Sequence, residues 1–167
     1  MDERAFEALF RENYGRLTSY ALTIVRTRED AEDVVQQVFA NLWRVRGSLE
    51  IRESARAWLY RSVRNGALNR LRSERAALRL AESPERVPVA DPAPDPAESM
   101  IAGQSAAALE RALDGLGERC REVLRLRWID GLSHAGIGDA LGITRKAVES
   151  NITRGLSALR GLLDPGD

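Results

Sequence analysis

The chemically richest stretch of the chain is RKAVESNITRGLSALR, residues 145–160. Val148, Ile152, Leu156 and Leu159 recur there at spacings of four, four and three, which sets them on one helical stripe. Arg145, Lys146, Glu149, Ser150, Asn151, Thr153 and Arg154 are left on the opposite face. That face combines cations that neutralise phosphates with amide, hydroxyl and carboxylate groups that address base edges in a major groove. Its chemistry is recognition of duplex DNA rather than bond making.

Two further groups of side chains stand out. In residues 54–80, SARAWLYRSVRNGALNRLRSERAALRL, arginines are interleaved with Trp58 and Tyr60. Trp58, Leu59, Val63, Ala67, Leu71 and Leu78 supply an apolar side. Arg56, Tyr60, Arg61, Arg64, Asn65, Asn69, Arg70, Arg72 and Arg75 supply the other. Cations that follow a backbone and rings that stack on unpaired bases are what a single-strand surface requires. In residues 29–44, EDAEDVVQQVFANLWR, a core stripe of Ala31, Val34, Val35, Val38 and Leu42 leaves Asp33, Gln36, Gln37, Phe39 and Trp43 as an aromatic and polar patch.

Catalytic chemistry finds little support. The chain has one histidine, His134, and one cysteine, Cys120, so a histidine-centred triad, a cysteine zinc cluster and an internal disulfide are all excluded. Asp30 and Asp33 are a pair of acids without a third ligand, so no metal site and no cofactor are expected. Cys120 reads as a small buried residue, and His134 as a cap or surface residue.

Helices must position these groups. Ser133 can cap a short helix containing Ile137 and Leu141, Gly142 supplies its exit, and Thr144 caps the next helix. Helix, glycine-bearing turn and helix, with Ile143 in the angle, is a helix-turn-helix pattern. Upstream, residues 2–26 carry apolar residues at three- and four-residue spacing and predict one or two helices, with Gly15 a possible break. Residues 29–44 and 54–80 predict two more, joined by a loop over 45–53 with a turn at Gly47-Ser48. Residues 103–130 predict two helices, the second marked by Val123, Leu124, Leu126, Trp128 and Ile129.

The 167 residues are electrically neutral, with 25 basic and 25 acidic side chains, but the charge is unevenly spread. Residues 51–80 hold eight arginines against two glutamates, and residues 81–100 hold one arginine against five acids. The acidic segment also carries Pro84, Pro88, Pro92, Pro94 and Pro96, a composition that resists helix formation. Extended as polyproline II at ~3.1 Å per residue, it would span on the order of 60 Å. The expectation is an all-α protein of two small helical domains, residues 1–80 and 103–164, joined by a flexible Pro-rich acidic linker over 81–102. The charged N-terminus, the lone cysteine and the lack of a long apolar run point to the cytoplasm.

In order, DAEDVVQQVFANLW, ARAWLYRSVRNGALNRLR, the acidic linker and GLSHAGIGDALGITRKAVESNITRGLSALR resemble the extracytoplasmic-function (ECF) group of bacterial sigma factors, within the sigma-seventy family. The resemblance covers about residues 4–163. It implies a non-enzymatic subunit that directs promoter-specific initiation, with core RNA polymerase, promoter DNA and an anti-sigma factor as partners and no small-molecule substrate. Whether the anti-sigma factor is membrane-bound is left open. By the resemblance, Asp33, Gln36, Gln37, Phe39 and Trp43 match the surface for the polymerase clamp helices. The Arg46–Glu53 loop, with Arg46 and Arg52, and the helix carrying Trp58, Tyr60, Arg61, Asn65 and Asn69 match the part that captures and melts the minus-ten element. Glu149, Ser150, Asn151, Thr153 and Arg154 match the helix read against the minus-thirty-five element, and Arg145 and Lys146 join them on its polar face. Glu149 stands where the family often has Arg or Lys, and Asn69 where Asp is common. The alternative is a stand-alone LuxR-like regulator, whose helix-turn-helix is similar but which lacks the N-terminal pattern.

Overall fold

The computed structural model describes residues 1–46, 54–81 and 115–163, leaving out the side chains of 162 and 163. Six helices occupy these residues: α1 (Glu3–Leu22), α2 (Arg28–Val45), α3 (Ala55–Ala81), α4 (Glu118–Trp128), α5 (His134–Leu141) and α6 (Arg145–Leu163). The fold is all-helical among the described residues, as the periodicities predict. The expected linker, residues 103–114 of the stretch expected to form two helices, the Gly47-Ser48 turn and Arg52 lie outside the described residues.

Side chains of the right type set the helix starts. Asp2 accepts from the Ala5 amide at 2.8 Å and Thr27 from the Asp30 amide at 3.1 Å. Ser54 and Thr144 do the same for Ala57 and Ala147, each at 3.1 Å. Each bond satisfies one of the donors that a first helical turn leaves orphaned. The glutamate and aspartate in the first turn of α2 add a favourable interaction with the helix dipole. Gly15 does not interrupt α1, which runs through it as one continuous helix.

The chain divides into two compact units, Met1–Glu82 with Ala135–Ile143, and Ser83–His134 with Thr144–Asp167. In the first, α1, α2 and α3 pack against one another. Leu17, Tyr20 and Ala21 of α1 are buried, as are Ala31, Val34, Val35, Val38, Phe39 and Leu42 of α2 and Ala57, Leu59, Tyr60, Val63 and Ala67 of α3. Beyond Ala67, Leu71 is only half-buried and Leu78 is exposed, so the apolar side expected along the whole of α3 stops short of its end.

In the second unit α4 packs along α6, where Leu116, Cys120 and Leu124 form a cluster against Ala158. The approach is close enough to need Gly155: a Cβ there would lie 2.5 Å from Leu124 Cδ1. The buried stripe of α6 therefore runs through Val148 and Gly155, and Leu156, expected on that stripe, is 37% exposed. Trp128 and Ile129, expected to mark a buried face of α4, are 53% and 64% exposed. They fall at the helix end, where the chain turns out through Asp130 and Gly131, the latter at φ +70°.

Candidate nucleic-acid interface

Between α2 and α3 lies an open groove of about 890 Å³. Its walls carry Asp33, Gln36, Gln37 and Asn41 from α2, and Trp58, Asn65, Asn69 and Arg70 from α3. Residues expected on two separate surfaces, one for polymerase and one for the minus-ten element, thus line the same groove. Amide side chains dominate it, and each offers both donors and an acceptor. Several are already held: Gln37 Nε2 donates to Asn41 Oδ1 at 3.3 Å, Gln36 Nε2 reaches the Tyr14 hydroxyl at 3.5 Å, and Arg72 donates to Asn69 Oδ1 at 3.1 Å. Arg70 ties the two helices together through Asp30 Oδ1 at 2.5 Å, and the Asp30 charge raises the guanidinium pKa further above its ordinary value. Asp30, one of the two acids considered for a metal, is thus part of an inter-helix ion pair.

The register of α3 corrects the sequence assignment of its aromatics. Tyr60 was expected on the polar side, yet it is fully buried, its ring 5.2 Å from that of Tyr20. Ala57, Tyr60, Val63 and Ala67 form one row at three- and four-residue spacing, which is the core row. Trp58, Arg61, Asn65 and Asn69 form another, with Trp58 half-buried and the other three exposed. Trp58, expected on the apolar side, is therefore the ring that reaches the polar groove, and Tyr60 is not available to stack on a base.

The α2 patch is also rearranged. Phe39, expected on a partner-facing surface, is 3% exposed, with the rings of Phe6 and Phe10 at 6.0 and 4.8 Å. Phe39 and Trp43, four apart, lie on one face of α2, and α1 supplies the rings that cover the first of them. Trp43, one turn on, remains 36% exposed beside Phe6 at 4.9 Å. The Arg46 guanidinium, expected to face DNA, lies 3.7 Å over the Trp43 ring and donates to its carbonyl at 2.5 Å. A second groove of about 510 Å³ opens here between α1 and α2, lined by Glu3, Phe6, Glu7, Phe10, Phe39, Ala40 and Trp43. The contribution of Phe6 and Phe10 was legible only as core periodicity. Their meeting with Phe39 and Trp43 depends on the tertiary packing of α1 against α2.

On α6 the polar face forms largely as expected. Arg145, Lys146, Glu149, Ser150, Thr153 and Arg154 are exposed, and Asn151 is half-buried. Gly142, at φ +65°, makes the turn before the helix, where Ile143 N donates to Gly138 O at 3.0 Å. Glu149 Oε1 accepts from Arg145 Nε at 3.0 Å, and His134 Nδ1 lies 4.0 Å from the same oxygen. Asn151 turns inward: its side-chain amide donates to Ala147 O at 2.8 Å, and its backbone carbonyl accepts from Cys120 Sγ at 3.1 Å. Burial pushes the Cys120 thiol pKa up, opposed by the Arg154 charge and the Gly155 amide. Arg125 and buried Asp130 make a further ion pair, Nε to Oδ2 at 3.4 Å, that the sequence reading did not single out. No cluster of three metal-ligating side chains occurs among the described residues, and none of their helices is long and apolar enough to cross a membrane.

Comparison with known proteins gives these surfaces a family. Sigma-70 region 2 matches residues 9–77 and Sigma-70 region 4 matches residues 112–161. The ECF RNA polymerase sigma factor SigM of Mycobacterium tuberculosis is 32% identical over 162 residues, covering 97% of this chain and 79% of the relative. The chain belongs to the ECF sigma factors. The RNA polymerase sigma factor NccH of Alcaligenes xylosoxydans xylosoxydans is 29% identical over 164 residues, covering 97% of this chain and 88% of that protein. Among solved structures, CnrH in complex with the cytosolic domain of CnrY superposes with a TM-score of 0.62 at 28% identity, covering 99% of this chain and 92% of that one. RpoE of Bartonella quintana, in complex with NepR, shares the fold with a TM-score of 0.66 at 21% identity, covering 96% and 97%. The chain is an ECF-type sigma factor that directs transcription initiation. The region 2 match lies over the half that a stand-alone LuxR-like regulator would lack, which decides against that alternative.

Proposed function

We propose that this ECF sigma factor divides promoter recognition between an N-terminal surface for polymerase and opened DNA and a C-terminal helix for duplex DNA. One observation carries the reading: the row of half-buried Trp58 and exposed Arg61, Asn65 and Asn69 on α3 and the exposed polar face of α6 belong to the two segments that match separate sigma regions. The outer side of α2, with Asp33, Gln36, Gln37 and Trp43, binds core polymerase. Phe39 acts beneath it by holding the aromatic floor in place. Arg52 and the α3 row engage the non-template strand of the minus-ten element, with Tyr60 supporting the row from the core; Arg46 joins them on leaving the Trp43 ring. Arg145, Lys146, Glu149, Ser150, Asn151, Thr153 and Arg154 read the minus-thirty-five duplex.

The mechanism is binding. Unstacking a base costs a few kcal/mol. Stacking on Trp58 and charge from Arg61 offset that cost, since base–aromatic stacking is worth ~1–3 kcal/mol. The polymerase supplies the active site. Domains at 1–80 and 103–164 with a tether over 81–102 let the two surfaces meet elements set apart on the promoter. The site of action is the cytoplasm, where the polymerase is. An anti-sigma factor is a further partner, a reading supported by the related structure of the sigma factor RpoE with the anti-sigma factor NepR. Gel filtration with core polymerase tests the first step. Co-elution, followed by run-off transcription from selected promoters, is the expected result. A protein that binds promoter duplex alone and never core would sink the proposal.

A further inference from the structure

We propose that Glu149 is a specificity-determining residue that selects a C·G base pair in the upstream duplex, and that Arg145 is its positioning residue. The inference rests on the reading of α6 as the helix that meets duplex DNA. An acidic side chain in the middle of that face is costly against a phosphate-lined groove unless it accepts a hydrogen bond. Of the base edges in the major groove, cytosine N4 offers a donor suited to a carboxylate; adenine N6 is a donor too but sits beside the N7 acceptor, which suits an amide better, and guanine O6 and N7 and thymine O4 offer only acceptors. A glutamate there therefore attracts one pair and repels others, which is how specificity is built.

The geometry suits that role. The carboxylate is half exposed, and Arg145 Nε holds Oε1 at 3.0 Å one helical turn away. His134 Nδ1 approaches the same Oε1 to 4.0 Å from the start of α5. A carboxylate has about four lone-pair sites, so the Arg145 bond on one oxygen leaves acceptor capacity for a base. Thr153 Oγ1 donates to the Glu149 carbonyl at 3.0 Å, which turns that hydroxyl back onto the helix. An arginine at the partner position also offsets the unfavourable charge of Glu149 near the phosphates, while its remaining donors stay free to approach them.

The test is promoter selection with holoenzyme reconstituted from core polymerase and the full chain, on a library randomised across the upstream element. Wild type should enrich cytosine at one position. Glu149→Ala should flatten that preference by at least about fivefold, and Glu149→Gln should shift it toward adenine, whose N6 and N7 suit an amide. Arg145→Ala should weaken the cytosine preference, and Arg145→Lys, which keeps a cation near the carboxylate, should restore part of it. Because Glu149 and Arg145 are both exposed, all four variants should melt with wild type. Unchanged base preference at every position in both Glu149 variants, or a selected wild-type element without a cytosine preference, overturns the inference while leaving the sigma-factor reading intact. A wild-type holoenzyme that selects no upstream sequence at all overturns the duplex reading of α6 itself.

Discussion

Tyr60 separates a core role from a DNA role. Its ring is fully buried and packs 5.2 Å from the Tyr20 ring in the centre of the α1–α3 core. Replacing a buried aromatic with alanine removes its transfer free energy and leaves a cavity, at a cost of ~3–5 kcal/mol. A small domain has only about 5–15 kcal/mol in hand. At ~4–8 °C per kcal/mol for a domain of this size, Tyr60→Ala should lower the melting temperature of the N-terminal unit by at least about 12 °C. Tyr60→Phe keeps the ring contact and should lose no more than ~1.5 kcal/mol, the worth of one hydroxyl hydrogen bond. Arg61→Ala changes an exposed side chain and should stay within ~0.5 kcal/mol of wild type. Thermal unfolding followed by far-UV circular dichroism reads all three. Transcription from a duplex and from a pre-melted bubble, at a temperature where the variants are folded, completes the assay. If Tyr60→Ala melts with wild type yet fails to open promoters, Tyr60 contacts DNA and the core assignment is wrong.

Three other outcomes follow from the same structure. Trp43→Ala should weaken core-polymerase binding with little loss of stability, whereas Phe39→Ala should cost ~3–5 kcal/mol and weaken binding mainly through unfolding; titration of labelled core against each folded variant distinguishes them. Gly155→Val should destabilise the C-terminal unit by ~1–3 kcal/mol in chemical denaturation, because any β-carbon there meets Leu124 at 2.5 Å. Cys120, with its thiol pKa raised by burial, holds less thiolate at a given pH than a free cysteine. Its alkylation should therefore be slow in the native protein, climb only at higher pH than in the denatured chain, and become fast on unfolding.

What the sequence revealed and what it hid have physical reasons. The helix start at Thr144 depends on one side chain and an amide three residues on, so local sequence suffices for it. The valines of α2 were legible for the same reason, as a stripe on a single helix. Aromatics were harder, because Phe, Trp and Tyr suit both a core and a stacking surface. Which of Trp58 and Tyr60 is buried depends on a rotation of α3 by roughly two residues, and that is fixed by Tyr20 on another helix. Phe39 is likewise buried by Phe6 and Phe10, more than 25 positions away in the chain. Gly155 carried no signal either: a glycine inside a helix reads as a weakness until the Leu124 side chain above it is seen. The ion pairs Asp30–Arg70 and Arg125–Asp130 depend on tertiary placement and turn geometry that spacing alone does not give.

The division of labour between the two DNA surfaces is tested most directly by one comparison: run-off transcription with permanganate footprinting on a promoter duplex and on the same promoter carrying a pre-melted bubble. Arg61→Ala should fail on the duplex at the opening step and be rescued at least partly by the bubble, because its loss affects captured single strand. Arg154→Ala should bind the upstream element more weakly, by ~1–3 kcal/mol if it makes a bidentate base contact. On a promoter that depends on that element, the bubble should not rescue it. Equal rescue of both variants by the bubble would contradict the account.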